Sequence, residues 1–323
     1  MSNKIAVYVA DKVQFEGYVE FAPDGVDLQW VDSTLPVEEQ IAQLQEAVVI
    51  IGDTQVEVAS RCPNLKVIQV SSAGTDKMDL AALEDIGITV ANNGGANAIA
   101  VSEHAITLMM TVLRKLDIQF ESVKERKWSS KLVPDWWPYV HELSGSTVGI
   151  IGLGNIGQKV ARRLAGWDCT LLYEDVVDYP PELVAELGVQ RVTRDELLTR
   201  SDVVTLHVPL MAATRGMMSD REFGLMKKSA ILINTCRGPV VDEAALIKAL
   251  NAKEIMAAGL DVLEVEPTPE DNPLIDMDNV SITPHVASVA QESWKRSRGF
   301  AVQNAIKVAN GGTPQAIVTP ERL

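Results

Sequence analysis

The sequence predicts an α/β protein built from two doubly wound parallel sheets. Three observations indicate this fold class: short apolar runs alternate with longer helical stretches, the alternation occurs in two series with one long helical pattern between them, and the runs are rich in Val, Ile and Leu. Strands that are buried on both faces of a parallel sheet have this composition. A chain of 323 residues also has the length of about two domains.

The first series of apolar runs lies in the first hundred residues and predicts strands over residues 5–10, 26–31, 47–51, 65–70 and 88–90. Residues 98–124 then follow a helical pattern without internal Gly or Pro, which predicts one long helix. The second series predicts strands over residues 147–152, 170–173, 203–208, 230–234, 257–262 and 281–283. Both series therefore have the alternation that is typical of parallel sheets covered by helices.

Composition limits the classes of function. The chain carries 29 Lys and Arg against 44 Asp and Glu, a net charge of −15, which argues against a general nucleic-acid binder. It has no apolar run of the roughly 18 residues that a membrane span needs, and its start lacks the layout of a secretion signal. We therefore expect a soluble, cytoplasmic protein. Cys62, Cys169 and Cys236 lie in or beside apolar runs, which predicts reduced core thiols.

A glycine-rich turn lies between a predicted strand and an amphipathic helix. Gly152 permits the tight turn, Gly154 lets a pyrophosphate approach the backbone, and Gly157 lets the helix and strand pack closely. The N–H groups at the start of the helix, at Asn155 and Ile156, then face the phosphates. This arrangement predicts a dinucleotide site.

Two acids end the next predicted strand, Glu174 and Asp175, and Asp175 lies 175 − 157 = 18 residues beyond the last glycine of the turn. A carboxylate at this place accepts hydrogen bonds from the hydroxyls of the adenosine ribose, so NAD is predicted in preference to NADP. No Lys or Arg follows these acids directly. Alternate residues of a strand point in opposite directions, so both acids remain candidates, and we favour Asp175.

Three later segments carry a specific resemblance: NTCRGPVVDE from residue 234, GLDVLEVEP from residue 259 and TPHVAS from residue 283. Together with the glycine turn, they make residues 65–310 resemble the D-isomer-specific 2-hydroxyacid dehydrogenases. The resemblance implies a Rossmann nucleotide domain over residues 100–288. It also implies a flavodoxin-like substrate domain formed by residues 1–99 and 289–323, a cleft between the domains, and a homodimer formed through the nucleotide domain.

In that family an Arg, a Glu and a His from these segments form the active site, which implies Arg237, Glu266 and His285 here. The chemistry of the residue types agrees. A planar guanidinium can hold the carboxylate and carbonyl of a 2-oxo acid, and a His can deliver a proton to the carbonyl oxygen as hydride arrives at carbon. Glu266 can orient the ring and favour its charged form. We therefore expect hydride transfer between NAD(H) and a small D-2-hydroxy acid or 2-oxo acid.

The resemblance also implies binding residues at the ends of the predicted strands. On the cofactor side they are His207, Pro209, Thr235, Cys236, Arg237, Asp261 and His285, with Asp261 facing the nicotinamide carboxamide. On the substrate side they are Ser72, Ala73, Gly74, Asn97, Arg237 and His285. A turn, cap or packing role is the ordinary alternative for several of them.

Substrate identity is left open by the sequence. The first hundred residues hold a single Arg, Arg61, which argues against a phosphorylated substrate. Trp136, Trp137 and Tyr139 either line the substrate pocket or pack a subunit interface, and packing is favoured. His104 and His141 belong to no metal-binding pattern, so no metal is expected.

Two other functions stay open at this point. One is an NAD(H)-sensing interaction protein similar to a corepressor, and the other is a formate- or phosphite-type dehydrogenase. Turnover of 2-oxo acids with NADH separates the first alternative from an enzyme. The pairing of Glu266 with His285 weakens the formate version, because formate has no hydroxyl that requires a base.

Overall fold

The structure is a computed structural model that describes residues 4–128 and 137–320. The chain divides into two compact units: unit 1 comprises Met1–Asn97 with Val289–Leu323, and unit 2 comprises Ala98–Ser288. Each unit is built on a largely parallel sheet, which confirms the predicted fold class. Whether unit 1 binds the substrate stays a prediction.

Unit 1 contains the first five strands and a last short strand that joins them. They are β1 (Lys4–Val9), β2 (Leu28–Asp32), β3 (Ala47–Ile51), β4 (Val67–Gln69), β5 (Thr89–Ala91) and β13 (Ile317–Val318). The sheet order is β13-β5-β4-β3-β1-β2, with β13 antiparallel to β5 and the other neighbours parallel. The order of the parallel strands, 2-1-3-4-5, is that of flavodoxin.

Helices cover both faces of the unit 1 sheet: α1 (Lys12–Val19), α2 (Val37–Leu44), α3 (Val56–Ala59), α4 (Leu80–Asp85) and α12 (Gln291–Ala309). Side chains of β1 alternate between the two cores, so that Ala6 packs with α2, α3 and α4 while Val7 packs with α1 and α12. Asn304 on α12 donates to Oε1 of Gln69 at 2.6 Å. The C-terminal segment is therefore part of the unit 1 core.

Unit 1 holds more cations than the first hundred residues suggest. Helix α12 carries Lys295, Arg296 and Arg298 in its first half. The Nε atom of Arg296 donates to the backbone carbonyl of Ala96 at 3.0 Å. Because α12 returns to this unit, counting cations over the first hundred residues does not exclude a phosphorylated substrate.

Unit 2 has an all-parallel sheet in the order β12-β11-β10-β9-β6-β7-β8. Its strands are β6 (Thr147–Ile151), β7 (Thr170–Glu174), β8 (Val189–Arg191), β9 (Val203–Leu206), β10 (Ile231–Asn234), β11 (Ala257–Leu260) and β12 (Val280–Ile282). The chain runs outward from β6 to β8 and then in the other direction from β9 to β12. The switch point between β6 and β9 is the place where open α/β sheets bind ligands.

Helices cover both faces of this sheet as well: α5 (Ala98–Arg114), α6 (Leu116–Lys124), α7 (Asn155–Leu164), α8 (Pro181–Leu187), α9 (Arg194–Arg200), α10 (Asp220–Leu225) and α11 (Glu243–Asn251). Short 3₁₀ helices form at Trp137–Tyr139, Gly238–Val240 and Pro273–Asp276. Among the residues that the structure describes, no helix is both long enough and apolar enough to cross a membrane.

The prediction of one helix over residues 98–124 is wrong, because the helix breaks at Lys115. This residue adopts a left-handed conformation with φ of 52° and separates α5 from α6. Its ammonium donates to the backbone carbonyl of Asp278 at 3.1 Å, and burial lowers the pKa of the Lys115 side chain. The break involves neither Gly nor Pro, so the local pattern does not reveal it.

All three cysteines are free, with Cys62 and Cys236 buried and Cys169 half-buried. Burial raises the pKa of each thiol, that of Cys236 to about 11. The thiols are therefore protonated at neutral pH and pack as small apolar groups.

Candidate active site

The structure gathers the predicted residues of the nucleotide domain at one edge of the unit 2 sheet. They follow the carboxyl ends of β6, β7, β9, β10, β11 and β12, and are Gly152, Asp175, His207, Arg237, Asp261 and His285. Because all strands of this sheet are parallel, these ends face the same way. The edge therefore combines a glycine turn, acids, an arginine and histidines.

The glycine turn has the geometry that a pyrophosphate site requires. Gly152 has φ of 91°, and a side chain there would lie 2.7 Å from the carbonyl oxygen of His207. A side chain on Gly157 would clash with the carbonyl of Gly152. A Cβ atom on Gly154 would meet nothing within 4 Å, and no side chain caps the first turn of α7. The N–H groups at Asn155 and Ile156 can therefore face an anionic ligand.

Asp175 lies against the glycine turn. Its Oδ2 atom accepts the N–H of Leu153 at 2.6 Å and the hydroxyl of Tyr179 at 3.2 Å. Burial, and then the neighbouring Asp175, raise the pKa of Tyr179 to about 12, so the phenol stays a donor. Glu174 instead pairs with Arg194 at 3.4 Å. Asp175 is therefore the acid that lies against the glycine turn, and its contact with a ribose stays a prediction.

Two arginines lie near these acids, although none follows them directly in the sequence. Arg191 donates from Nη2 to the backbone carbonyl of Asp175 at 2.9 Å and forms an ion pair with Asp178. Arg194 pairs with Glu174. Because β8 and the start of α9 bring them to this strand end, they offset part of its negative charge.

Orphaned polar atoms on this edge fit a ligand with polar groups. His207 is buried, its Nε2 atom lies 3.0 Å from Oγ1 of Thr205, and burial lowers its pKa to about 3. The ring is therefore neutral. Among the described residues, Nδ1 of His207 and Oγ1 of Thr235 are buried without a hydrogen-bond partner. Buried polar atoms are normally paired, so a dinucleotide at this edge would supply their missing partners. The carbonyl of Pro209 accepts the hydroxyl of Thr214 at 2.6 Å.

The loop that carries Arg237 is held by Asn234, a residue to which sequence reasoning assigned no role. Its Oδ1 atom accepts the N–H of Cys236 at 3.0 Å, and its Nδ2 atom donates to the carbonyl of Arg237 at 3.1 Å. A side chain on Gly238 would clash with the carbonyl of Leu263. The Arg237 loop therefore packs directly against the loop that leads to Glu266.

Glu266 and His285 form a hydrogen-bonded pair. Nδ1 of His285 lies 2.6 Å from Oε2 of Glu266, and Oε1 of Glu266 accepts the N–H of Leu263 at 3.1 Å. The histidine side chain is 45% exposed, so its ring can reach a ligand. With Nδ1 engaged, Nε2 is the ring atom that can exchange a proton with a substrate.

Asp261 is buried and accepts hydrogen bonds from residues before and after His285 in the sequence. Its Oδ1 atom accepts the hydroxyl of Thr283 at 2.6 Å and the N–H of Val286 at 2.9 Å, while Oδ2 accepts the N–H of Ala287 at 2.9 Å. A carboxylate has about four acceptor positions, so Oδ2 keeps one for a further donor such as a carboxamide. A contact from Asp261 to the nicotinamide stays a prediction.

The predicted substrate residues of unit 1 lie on two adjoining loops after β4 and β5. Nδ2 of Asn92 donates to the carbonyl of Ala73 at 3.0 Å, and the hydroxyl of Ser72 donates to the carbonyl of Gly74 at 2.8 Å. The Oδ1 atom of Asn97 is buried without a partner among the described residues. The structure thus brings these loops together, and their contact with substrate stays a prediction.

Comparisons with known proteins show which family this chain resembles. The profile of the family described as D-isomer specific 2-hydroxyacid dehydrogenase, NAD binding domain, matches residues 106–287. The chain is 38% identical to a glyoxylate reductase of Thermofilum pendens, over 83% of this chain and 78% of that protein. It is 37% identical to a D-3-phosphoglycerate dehydrogenase of Archaeoglobus fulgidus over 94% of this chain, but it spans 57% of that protein's length.

Solved structures give the same result. A D-mandelate dehydrogenase of Rhodotorula graminis has a TM-score of 0.86 at 27% identity, covering 98% of this chain and 97% of its own. A D-isomer specific 2-hydroxyacid dehydrogenase of Lactobacillus delbrueckii ssp. bulgaricus, solved with NAD, has a TM-score of 0.81 at 27% identity, covering 98% of this chain and 100% of its own.

Fold and site together define an NAD-dependent oxidoreductase with a Rossmann domain. The chain belongs to the D-isomer-specific 2-hydroxyacid dehydrogenase family. The predicted family, enzyme class and NAD cofactor are confirmed. The relatives are named as dehydrogenases and reductases, so a corepressor-like protein and a formate- or phosphite-type enzyme are not favoured.

Proposed function

We propose that the protein interconverts a small 2-oxo acid and its D-2-hydroxy acid with NAD(H), and that Arg237, Glu266 and His285 carry the chemistry. The observation that carries this proposal is the 2.6 Å pair of His285 and Glu266, which lies at the same sheet edge as the glycine turn. In this assignment unit 2 binds NAD and unit 1 binds the substrate.

Bound NADH supplies the hydride for reduction. The imidazolium of His285 then donates a proton from Nε2 to the substrate carbonyl oxygen. Glu266 accepts the Nδ1–H, which fixes the orientation of the ring and stabilises its positive charge. In the oxidation direction, the neutral ring accepts the hydroxyl proton at the same nitrogen.

Arg237 holds the substrate in this mechanism. Its planar guanidinium can donate two parallel hydrogen bonds to the substrate carboxylate and carbonyl, which a lysine cannot reproduce. The hydrogen bonds from Asn234 fix the backbone of the Arg237 loop. Backbone N–H groups of the loop at Ser72, Ala73 and Gly74 are proposed to hold the carboxylate from unit 1.

We propose glyoxylate or hydroxypyruvate as the substrate class. Relatives at 38% and 34% identity are named glyoxylate reductase and hydroxypyruvate reductase. The test is kcat/KM with NADH for glyoxylate, hydroxypyruvate, pyruvate, phenylglyoxylate and 3-phosphohydroxypyruvate, with His285→Asn as the control variant. We expect the two small acids to be preferred and His285→Asn to lose about 10²- to 10⁴-fold. Tight NADH binding without turnover of any acid contradicts the proposed function.

The proposed assembly is a homodimer formed through unit 2. Helix α6 buries none of its side chains, and its Phe120 is 64% exposed. Trp128, Trp137 and Tyr139 are also exposed, while Trp136 lies outside the described residues. Apolar surface of this kind is typical of a subunit interface. Sedimentation velocity tests the proposal: the wild type should sediment as a dimer, and Phe120→Asp should shift it towards monomer.

We propose the cytoplasm as the compartment and small acids as the partners. The free thiols suit a reducing environment. The charge of −15 suits neither nucleic acid nor an anionic membrane surface.

A further inference from the structure

A hydrogen-bonded network of three side chains links helix α5 to the loop that carries His285. The Nε2 atom of His104 lies 2.8 Å from Oγ1 of Thr283 and 3.5 Å from Oδ1 of Asp261. The His104 side chain is mostly buried, at 21% exposed. It contacts this loop from a helix far away in the sequence, since His104 and Thr283 are 179 residues apart.

The donors and acceptors in this network can be assigned. Asp261 accepts two backbone N–H groups, which is the pattern of an ionised carboxylate that only accepts hydrogen bonds. The single hydroxyl proton of Thr283 is therefore donated to Oδ1 of Asp261, at 2.6 Å. Oγ1 of Thr283 must then accept from His104, which places a proton on Nε2 of that ring.

The loop needs such support because His285 has an unusual backbone conformation. Its φ of 53° lies in the left-handed region, which non-glycine residues adopt only when the surroundings impose it. Asp261 imposes it by binding Thr283 before His285, and Val286 and Ala287 after it. The backbone carbonyl of Asp261 also accepts the N–H of His285 at 2.8 Å.

We propose that His104 is a positioning residue for the reaction: through Thr283 and Asp261 it fixes the loop that aims His285. This inference rests on the proposed role of His285. In the absence of His104, the Thr283 hydroxyl loses its donor and can turn away from Asp261, which frees one side of the loop. The imidazole of His285 is then less well aligned with the substrate carbonyl.

The test uses His104→Ala, His104→Gln and Thr283→Val in the full-length protein. We expect His104→Ala to lower kcat about 10- to 100-fold while KM for NADH stays within about twofold, because alignment rather than cofactor binding is lost. His104→Gln, whose amide can donate from a similar place, should restore kcat to within about threefold of wild type. Thr283→Val should lower kcat as His104→Ala does.

Two further variants separate positioning from a general structural effect. Glu103→Gln, next to His104 on α5, removes the 2.8 Å ion pair with Arg163 on α7 and should leave kcat unchanged. The double variant His104→Ala/Thr283→Val should lose no more kcat than either single variant, because both residues act through the same hydrogen-bonded network.

The proposal is overturned if His104→Ala keeps wild-type kcat, or if His104→Gln fails to restore kcat in a folded protein. It is also overturned if the loss of kcat in the double variant equals the product of the losses in His104→Ala and Thr283→Val. If His104→Ala does not fold, Thr283→Val with wild-type kcat overturns it equally. Failure of the proposed function is recognised separately, as wild-type turnover by His285→Asn.

Discussion

Nδ1 of His285 lies 2.6 Å from Oε2 of Glu266, and the other oxygen of Glu266 is held by the N–H of Leu263. The carboxylate is thus anchored to its own loop while it orients a ring on the next one. Because Gly238 lets the Arg237 loop pack against Leu263, the three proposed catalytic side chains share one support.

Removal of the carboxylate charge should move the pH dependence of the reaction. In Glu266→Gln the imidazolium of His285 loses its negative neighbour, so the charged form of the ring is less favoured than in the wild type. The inflections of kcat/KM for 2-oxo acid reduction and for hydroxy acid oxidation should both move to lower pH. Full pH profiles in both directions measure this.

A matched control lies two residues earlier in the same loop, where Glu264→Gln removes an exposed acid. This variant should leave both profiles unchanged. Wild-type inflections in Glu266→Gln would contradict the assigned pair.

Cofactor preference should depend on Asp175 more than on Glu174. Asp175→Ala removes the carboxylate that lies against the glycine turn, so its proposed contact with the ribose hydroxyls and its repulsion of a 2′-phosphate are lost together. The ratio of kcat/KM for NADH to that for NADPH should fall about 10- to 100-fold. Glu174→Gln, which breaks the pair with Arg194, is the control and should change the ratio much less. A larger fall of this ratio in Glu174→Gln than in Asp175→Ala would assign the ribose contact to Glu174.

Arg237 should affect the substrate more than the cofactor. Arg237→Lys keeps the charge but loses the planar fork, so KM for the 2-oxo acid should rise and kcat/KM should fall about 100-fold or more. The Kd for NADH, followed by fluorescence titration, should change by less than about threefold. An equal loss of NADH affinity would place Arg237 chiefly at the cofactor.

His207 should make the fold sensitive to acid. Burial lowers its pKa from 6.5 to about 3, so between these values the unfolded chain binds a proton that the folded chain does not. Its contribution to stability is therefore fully present above pH 6.5 and is lost as the pH falls towards about 3. One proton changes the free energy of unfolding by at most about 1.4 kcal/mol per pH unit. Urea unfolding between neutral pH and about pH 5 should show a shallower decline in His207→Gln than in the wild type. Parallel declines would mean that His207 is not buried as a neutral ring.

The sequence by itself determined the features that depend on short stretches of chain. The runs at residues 47–51 and 147–152 identify strands because a buried parallel strand must be apolar on both faces. The glycine turn could be recognised because Gly152, Gly154 and Gly157 meet a single local demand, a tight turn that exposes N–H groups at a helix start. The catalytic residues Arg237, Glu266 and His285 were implied by the resemblance of three short segments to a known family.

The tertiary structure alone decided the contacts between residues that are distant in the chain. It shows the break at Lys115, whose ammonium is held by a carbonyl more than a hundred residues away, and the arginines that β8 and α9 bring to Glu174 and Asp175. It also shows that His104 supports the His285 loop. No local periodicity encodes these contacts, because each depends on how helices and strands pack once the sheet has formed.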